Sequence, residues 1–223
     1  MKRKYLTAIA ITSAFVPFGG GALTAQTLMT SRIESRIKSE LPKASGVSAS
    51  IPLVDAPSNI MSNSIKSAKI NVKSFTLKES GTKTSLDISA SNISKAKPTL
   101  VGSLEVTATI PVSTIAKASE FGDAEVVGNT LQVAAGAGGM GRAIIVPRYS
   151  NNELYFQLKS VSIFGNEIPA SSLPANLQDQ IKSKSKRSLT PPKGLKVKSV
   201  SLSSKGLSVK MYGNNIQLGN LGL

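Results

Sequence analysis

The alternation that decides the fold lies in residues 100–110, which read LVGSLEVTATI. From Leu104 to Ile110 every even position is apolar, whereas the odd positions carry Glu or Thr. Successive side chains of a strand point to opposite faces, so this period of two predicts a strand with one buried face. Half-buried strands of this kind are typical of an antiparallel sheet.

The same pattern recurs on both sides of this stretch. In residues 68–77 the apolar positions are even as far as Val72 and odd at Phe75 and Leu77, so we expect a β-bulge near residues 73–74. Further strands are predicted at residues 86–90, 124–127, 130–135, 143–146, 154–159, 161–164, 195–202 and 207–211. The last two would form a hairpin around the turn at 203–206.

Three helices are expected among these strands. Ser31 and Glu34 have the spacing of a capping box, and apolar residues at helical spacing follow until Pro42. Residues 112–119 follow a proline suited to a first helical turn, and residues 173–183 form the third candidate. The sequence therefore predicts a single α+β domain, which we place at residues 26–223.

Composition restricts the chemistry available to the chain. Its 223 residues contain no His and no Cys, which excludes a His-based triad, a thiolate nucleophile, a disulfide and an ordinary zinc site. We expect no enzymatic activity, no metal and no cofactor. The net charge of +15 indicates a polyanionic partner, and the absence of Trp with only 4% aromatic residues argues against single-stranded nucleic acid.

The amino terminus has the order of an export signal. Basic residues at 2–4 precede an uncharged run at 5–31, whose most apolar part is 6–16, and small residues before Ala25 suggest a cleavage site. We therefore expect a signal peptide at residues 1–25. An uncleaved membrane anchor is the alternative, since a span needs about 20 apolar residues. Under either interpretation the domain is exported. It would lie in the cell envelope, at the outer face of the plasma membrane, or it would be secreted.

Two motifs are less informative than they first seem. Residues 136–141 read GAGGMG and match G-x-G-x-x-G, but a β-branched run follows where a dinucleotide site needs a helix, so we expect a loop between strands. Asp123 and Glu125 would share one face of a strand, which a hydrolase could use. A solvated strand edge is the simpler interpretation.

Four segments have a characteristic order: the strand at 65–77, LEVTATIPVSTI at 104–115, PPKGLKVKSV at 191–200 and GLSV at 206–209. In this order the chain resembles the LmeA-like family of bacterial cell-envelope phospholipid-binding proteins, and the resemblance extends over residues 28–218. It implies a curved, mainly antiparallel sheet wrapped about an amphipathic helix, as in tubular lipid-binding domains, with phospholipid in an apolar groove. It also implies a link to the biogenesis of lipid-anchored glycans.

Apolar residues on single strand faces are the candidates for lining such a groove. These are Leu104, Val106, Ile110, Leu154, Phe156, Leu158, Leu207 and Val209. The alternative is that all eight fill a closed core.

The carboxyl-terminal part of the chain is strongly basic. No acid follows Asp179, whereas nine Lys and Arg residues do. A soluble surface would explain this, but an exported domain also meets anionic membrane, to which each suitably placed cation adds about 1 kcal/mol. The candidates for this surface are Lys184, Lys186, Arg187, Lys196 and Lys198.

We therefore expect a non-enzymatic protein that binds, and in one version transfers, anionic phospholipid. Its partners would be phospholipid and an anionic membrane surface, with no role for nucleic acid. A structural or adhesive wall protein is the alternative. It would hold acidic polymers on a basic face and have no lipid cavity.

Overall fold

The computed structural model describes residues 43–52, 64–76, 81–94, 98–118, 124–135 and 140–217, with single positions at 30, 31, 34, 35, 37, 38 and 96. These residues group into two compact units. The described part of the amino-terminal unit comprises residues 30–108, 191–198 and 210–217, and that of the central unit comprises 109–190 and 199–209. The expected signal segment at 1–25 lies outside the described residues, and the single domain at 26–223 stays a prediction.

The described chain is mostly antiparallel strand with few helices. In chain order the elements are β1 (Ser45–Ser50), β2 (Ser64–Thr76), β3 (Lys83–Ser94), β4 (Leu100–Ile110), α1 (Val112–Ala118), β5 (Ala124–Val127), β6 (Thr130–Ala135), β7 (Gly141–Ser150), β8 (Glu153–Ile163), β9 (Asn166–Pro169), α2 (Ala175–Ser185), β10 (Arg187–Ser188), β11 (Lys196–Ser203) and β12 (Gly206–Gln217). The predicted bounds of β4, β5 and β6 are confirmed.

The first sheet has the strand order β1-β2-β3-β4-β12-β11. In its antiparallel β2–β3 pair, Val72 lies opposite Leu86 but Phe75 lies opposite Thr84, so β2 carries one extra residue. Val72 and Phe75 are both buried as a result. This confirms the bulge expected from the change of parity, while Leu77 lies outside the described residues.

The opening helix is only partly described. Positions 30, 31, 34, 35, 37 and 38 are helical, and Ile37 is buried. Edge strand β1 was not expected, because its sequence SGVSAS holds a single large apolar residue, Val47.

The second sheet belongs to the central unit and has the order β10-β8-β7-β6-β5, with β9 also paired to β8. The two strands expected at 154–159 and 161–164 are one strand, β8. Its register against β7 shifts between Ile144 and Ile145, and this bulge moves the buried face from Leu158 to Val161. Phe164, expected at the end of a strand, lies in the turn before β9.

Helix α2 lies two residues further along the chain than expected, because Pro174 precedes its first turn. Its less exposed positions are Leu177, Gln178, Ile181 and Ser185, and Leu177, Ile181 and Ser185 recur every four residues and so share one face. The helix contacts β8 along this face.

Gly206 opens β12 in a conformation that other residues rarely adopt. Its φ is +131°, and a Cβ atom there would overlap the carbonyl oxygen of Ile110 and lie 3.0 Å from the Cα of Pro111. Gly128, in the β5–β6 turn, also has a positive φ, +60°, but a Cβ atom would meet nothing within 4 Å. A side chain at Gly128 would therefore introduce backbone strain alone, whereas a side chain at Gly206 would add a steric overlap to the strain.

We expect Gly206→Ala to lower the free energy of unfolding by about 3 kcal/mol, because strain and overlap add. Gly128→Ala should lower it by about 1 kcal/mol, from strain alone. Urea unfolding of both variants measures the difference. Equal losses would show that the close approach at Ile110 is not maintained.

Candidate functional site

The polar face of β8 carries an aromatic ring surrounded by cations. Tyr155 lies opposite Arg148 of β7, and the Arg148 guanidinium donates from Nε to Oε1 of Gln157 at 2.9 Å. From α2, the Nζ of Lys182 lies 5.0 Å from the centre of the Tyr155 ring, within the range of a cation–π contact. Sheet and helix thus bring two cations to one tyrosine.

The end of α2 adds three further cations. The Nη1 of Arg187 donates to the carbonyl oxygens of Lys184 and Lys186, at 3.0 and 2.8 Å, and so caps the helix. The Nζ of Lys186 lies 2.8 Å from Oε2 of Glu153 on β8. We define the basic cluster as Arg148, Lys182, Lys184, Lys186 and Arg187.

A buried hydroxyl fixes this end of α2 against β8. The Oγ of Ser185 accepts from the backbone N–H of Phe156 at 2.9 Å and donates to the carbonyl oxygen of Ile181 at 2.7 Å. Ser185 is one of three buried polar residues in the described part of the chain. Its hydrogen bonds fix the last helical turn and with it Lys182 beside Tyr155.

The β7–β8 turn next to the cluster is also fixed by a side chain. The phenol of Tyr149 donates to Oδ1 of Asn152 at 2.9 Å. Burial raises the pKa of Tyr149 above its ordinary value, so the phenol is neutral at physiological pH and remains a donor.

The cluster suits an anionic ligand with several acceptor oxygens. Lys182 and Lys184 stand in the last turn of α2, where cations also stabilise a helix by interaction with its dipole. Arg148 belongs to the sheet, so helix stabilisation does not account for its place in the cluster. Glu153 forms an ion pair with Lys186, and the five residues of the cluster carry more positive charge than this one carboxylate neutralises.

The predicted groove residues are mainly core residues. Seven of the eight are at most 6% exposed, and Ile110 is half-buried. Leu154, Phe156 and Leu158 lie on one face of β8, and Leu207 and Val209 lie on one face of β12. Leu104 and Val106 belong to the amino-terminal unit, the other six to the central unit. Burial is required of a closed core and of a filled groove alike, so the groove assignment stays a prediction.

The predicted basic residues fall into two groups. Lys184, Lys186 and Arg187 lie together in the central unit, whereas Lys196 and Lys198 lie exposed on β11 in the amino-terminal unit. There Glu105 interacts with two lysines, with its carboxylate 2.8 Å from the Nζ of Lys210 and 4.0 Å from that of Lys198.

Sequence reasoning did not select Arg148, Tyr155 or Lys182. The alternation of β8 indicates that Tyr155 is on the polar face, but its neighbours depend on the β7–β8 register and on how α2 docks. Neither the strand register nor the docking of α2 can be predicted from local periodicity.

The glycine-rich motif and the carboxylate pair lie only partly within the described residues. Strand β7 begins at Gly141, so a strand follows the glycines, as expected. Asp123 lies outside the described residues. Glu125 is exposed, and its carboxylate lies 4.0 Å from the guanidinium of Arg142.

The described residues contain no group of three or more Asp and Glu side chains placed to hold a metal ion. They also contain no helix with the length and apolar character needed to cross a membrane.

Comparisons of the chain with family models, curated proteins and solved structures returned no match. The resemblance to the LmeA-like family therefore stays a prediction.

We expect Ser185→Ala to lower the free energy of unfolding by about 2 kcal/mol, because the Phe156 N–H loses a buried acceptor. Ser183→Ala is the matched control, since its exposed hydroxyl donates only to the carbonyl of Gln180. It should change stability by less than about 0.5 kcal/mol. Both variants gain the same helix propensity, so the difference in urea midpoints isolates the buried bond. Equal midpoints would contradict this role of Ser185.

Proposed function

We propose that the protein binds anionic phospholipid at the bacterial cell envelope and catalyses no reaction. The basic cluster around Tyr155 is the observation that carries the proposal. Arg148, Lys182 and Lys186 lie around Tyr155 and Glu153 at one end of β8, and Arg187 follows in β10, an arrangement that suits phosphodiester oxygens. The net charge of +15 would draw the chain to an anionic bilayer.

The finer proposal is that acyl chains enter an apolar groove of a curved sheet, as the resemblance implies. Removing a diacyl lipid from a bilayer exposes roughly 30 methylenes at about 0.8 kcal/mol each, about 25 kcal/mol in all. A carrier must therefore provide a long apolar lining. The one-sided apolar face of β8 supports this, with Leu154, Phe156 and Leu158 in sequence along it. In this proposal the protein is exported, and the lipid serves envelope or lipid-anchored glycan biogenesis.

Binding of acidic wall polymers is the second candidate. It is favoured by the exposed lysines of β11, Lys196 and Lys198, which lie on a strand with no aromatic side chain. A flexible polyanion needs no apolar lining, and a closed core would suit this function.

Vesicle binding tests the basic cluster. We expect the full chain to bind vesicles that contain phosphatidylglycerol and to bind pure phosphatidylcholine vesicles more weakly. The double variant Lys182→Gln/Lys186→Gln should weaken binding to the anionic vesicles about thirtyfold, because each lysine contributes about 1 kcal/mol. Co-sedimentation at low salt measures the partition.

The control removes the same charge from two exposed positions on β2 and β3, Lys69→Gln/Lys83→Gln. If only surface charge close to the bilayer matters, the binding of this variant to anionic vesicles should be weakened by less than about threefold. Equal losses in both variants would assign binding to net charge and contradict a specific cluster. Failure of the full chain to bind anionic vesicles would contradict lipid binding itself.

Lipid extraction tests the groove separately. We expect phospholipid to co-purify with the full chain under non-denaturing conditions and to be identified by mass spectrometry. Leu158→Glu should reduce the recovered lipid, whereas Val127→Glu, at an exposed position at the end of β5, should not. Absence of both bound lipid and uptake from vesicles, together with salt-sensitive retention on an acidic polymer, would favour the second candidate.

A further inference from the structure

The β8–β9 hairpin carries an exposed phenylalanine at its tip. Phe164 is 80% exposed, more than any other large hydrophobic residue that the structure describes. It shares a two-residue turn with Gly165, and Ile163 pairs with Asn166 to close the hairpin. An aromatic ring in this position buries almost none of its apolar surface within the described structure.

The turn conformation makes Phe164 a poor choice on local grounds as well. Phe164 and Gly165 have φ values of +49° and +82°, the left-handed region that two-residue hairpin turns require. Asn, Asp and Gly are preferred there, and the β7–β8 turn of the same sheet uses Asn151 and Asn152. A residue that suits neither the turn nor solvent indicates selection for contact with something else.

Two neighbours extend the apolar surface. Ile163 is 39% exposed and lies opposite Gly141 of β7, and Met140, which precedes Gly141, is 61% exposed. We define the apolar tip as Met140, Ile163 and Phe164. All three residues lie at the same end of the second sheet.

A cation stands directly behind the apolar tip. Arg142 is exposed and lies opposite Ser162, two residues back from Phe164, which corresponds to about 7 Å along the strand. Side chains inserted at the headgroup boundary reach about 5–10 Å into a bilayer, so a strand that enters along its axis would place Arg142 at the depth of the lipid phosphates. Glu125, near Arg142, and Glu167, bonded to Ser160, leave no local excess of positive charge.

We propose that the apolar tip inserts into the phospholipid bilayer and anchors the central unit there. This inference rests on the proposed function and assigns the anchoring step to residues distinct from the basic cluster. With exposed fractions of 80%, 61% and 39%, the side chains of Phe164, Met140 and Ile163 offer roughly 350 Å², less than the ~800 Å² that each partner contributes to a stable protein interface. Insertion into a bilayer requires no such area, and Arg142 would lie in the charged headgroup layer.

The absence of Trp from the chain provides a direct test. Phe164→Trp places the only Trp at the apolar tip, and Val127→Trp places it at the last residue of β5, opposite Thr130 and away from the tip end of β6. On addition of vesicles to the full chain, we expect a blue shift and quenching by brominated acyl chains for Phe164→Trp only.

Phe164→Asn separates insertion from folding. An Asn-Gly turn is better suited to this hairpin, so thermal stability should be unchanged or higher. Vesicle binding should nevertheless weaken by between about tenfold and a hundredfold, the range expected for losing one buried phenylalanine. The factor should be the same for anionic and for phosphatidylcholine vesicles, because the lost term is apolar.

Each other outcome overturns the inference in a recognisable way. Wild-type affinity in Phe164→Asn with an unshifted Trp spectrum would exclude insertion and leave the proposed function intact. A blue shift that depends on protein concentration without vesicles would assign the apolar tip to a second copy of the chain. If the parent protein binds no vesicles, the proposed function fails and the inference fails with it.

Discussion

The antiparallel pairing of β7 with β8 is the constraint on which the functional surfaces of the central unit depend. Ten residue pairs define its register, with one shift between Ile144 and Ile145. At one end this register places Arg148 opposite Tyr155, and at the other it places Gly141 opposite Ile163. A slip by one residue would exchange the two faces of β8 and dismantle the basic cluster and the apolar tip together.

The bulge within this pairing reconciles two demands on β8. The strand must keep Leu154, Phe156 and Leu158 buried, yet near the hairpin it must bury Val161, which has the other parity. Lys159 takes the unpaired position in the shift, and Ser160 can then lie buried with its hydroxyl bonded to Glu167. One inserted residue thus maintains apolar burial along a strand of eleven residues.

Much of this fold follows from local patterns, because a period of two requires only that one face is buried. The period of two predicts the bounds of β4, and its change of parity predicts the bulge beside Phe75. Helix α2 begins two residues after its predicted start, because Pro174 precedes its first turn. Strands β1, β9 and β10 were missed, because short edge strands are stabilised by the strand beside them rather than by their own apolar residues.

The candidate site was less accessible to sequence reasoning. Charge asymmetry indicated Lys184, Lys186 and Arg187, because a run of cations needs no tertiary information. Arg148 and Tyr155 lie near these cations because of the register between β7 and β8. Lys182 lies near Tyr155 because Ser185 fixes α2 against β8. Phe164 was assigned to a strand, because an aromatic residue after Val161 and Ile163 fits strand propensity, and its turn is set by the pairing of Ile163 with Asn166.

Strand β8 also sets the distance between charge and apolar contact. From Tyr155 to Ile163 the strand extends about 25 Å, well beyond the Debye length of about 8 Å at physiological salt. If the sheet stood upright on its apolar tip, the basic cluster would be screened from the bilayer and could not confer a preference for anionic lipid. If β8 lay along the surface, both contacts would act at once, and tethering by one would raise the effective concentration of the other. If the central unit binds the membrane as proposed, the dependence of binding on lipid charge therefore measures how this unit is oriented there.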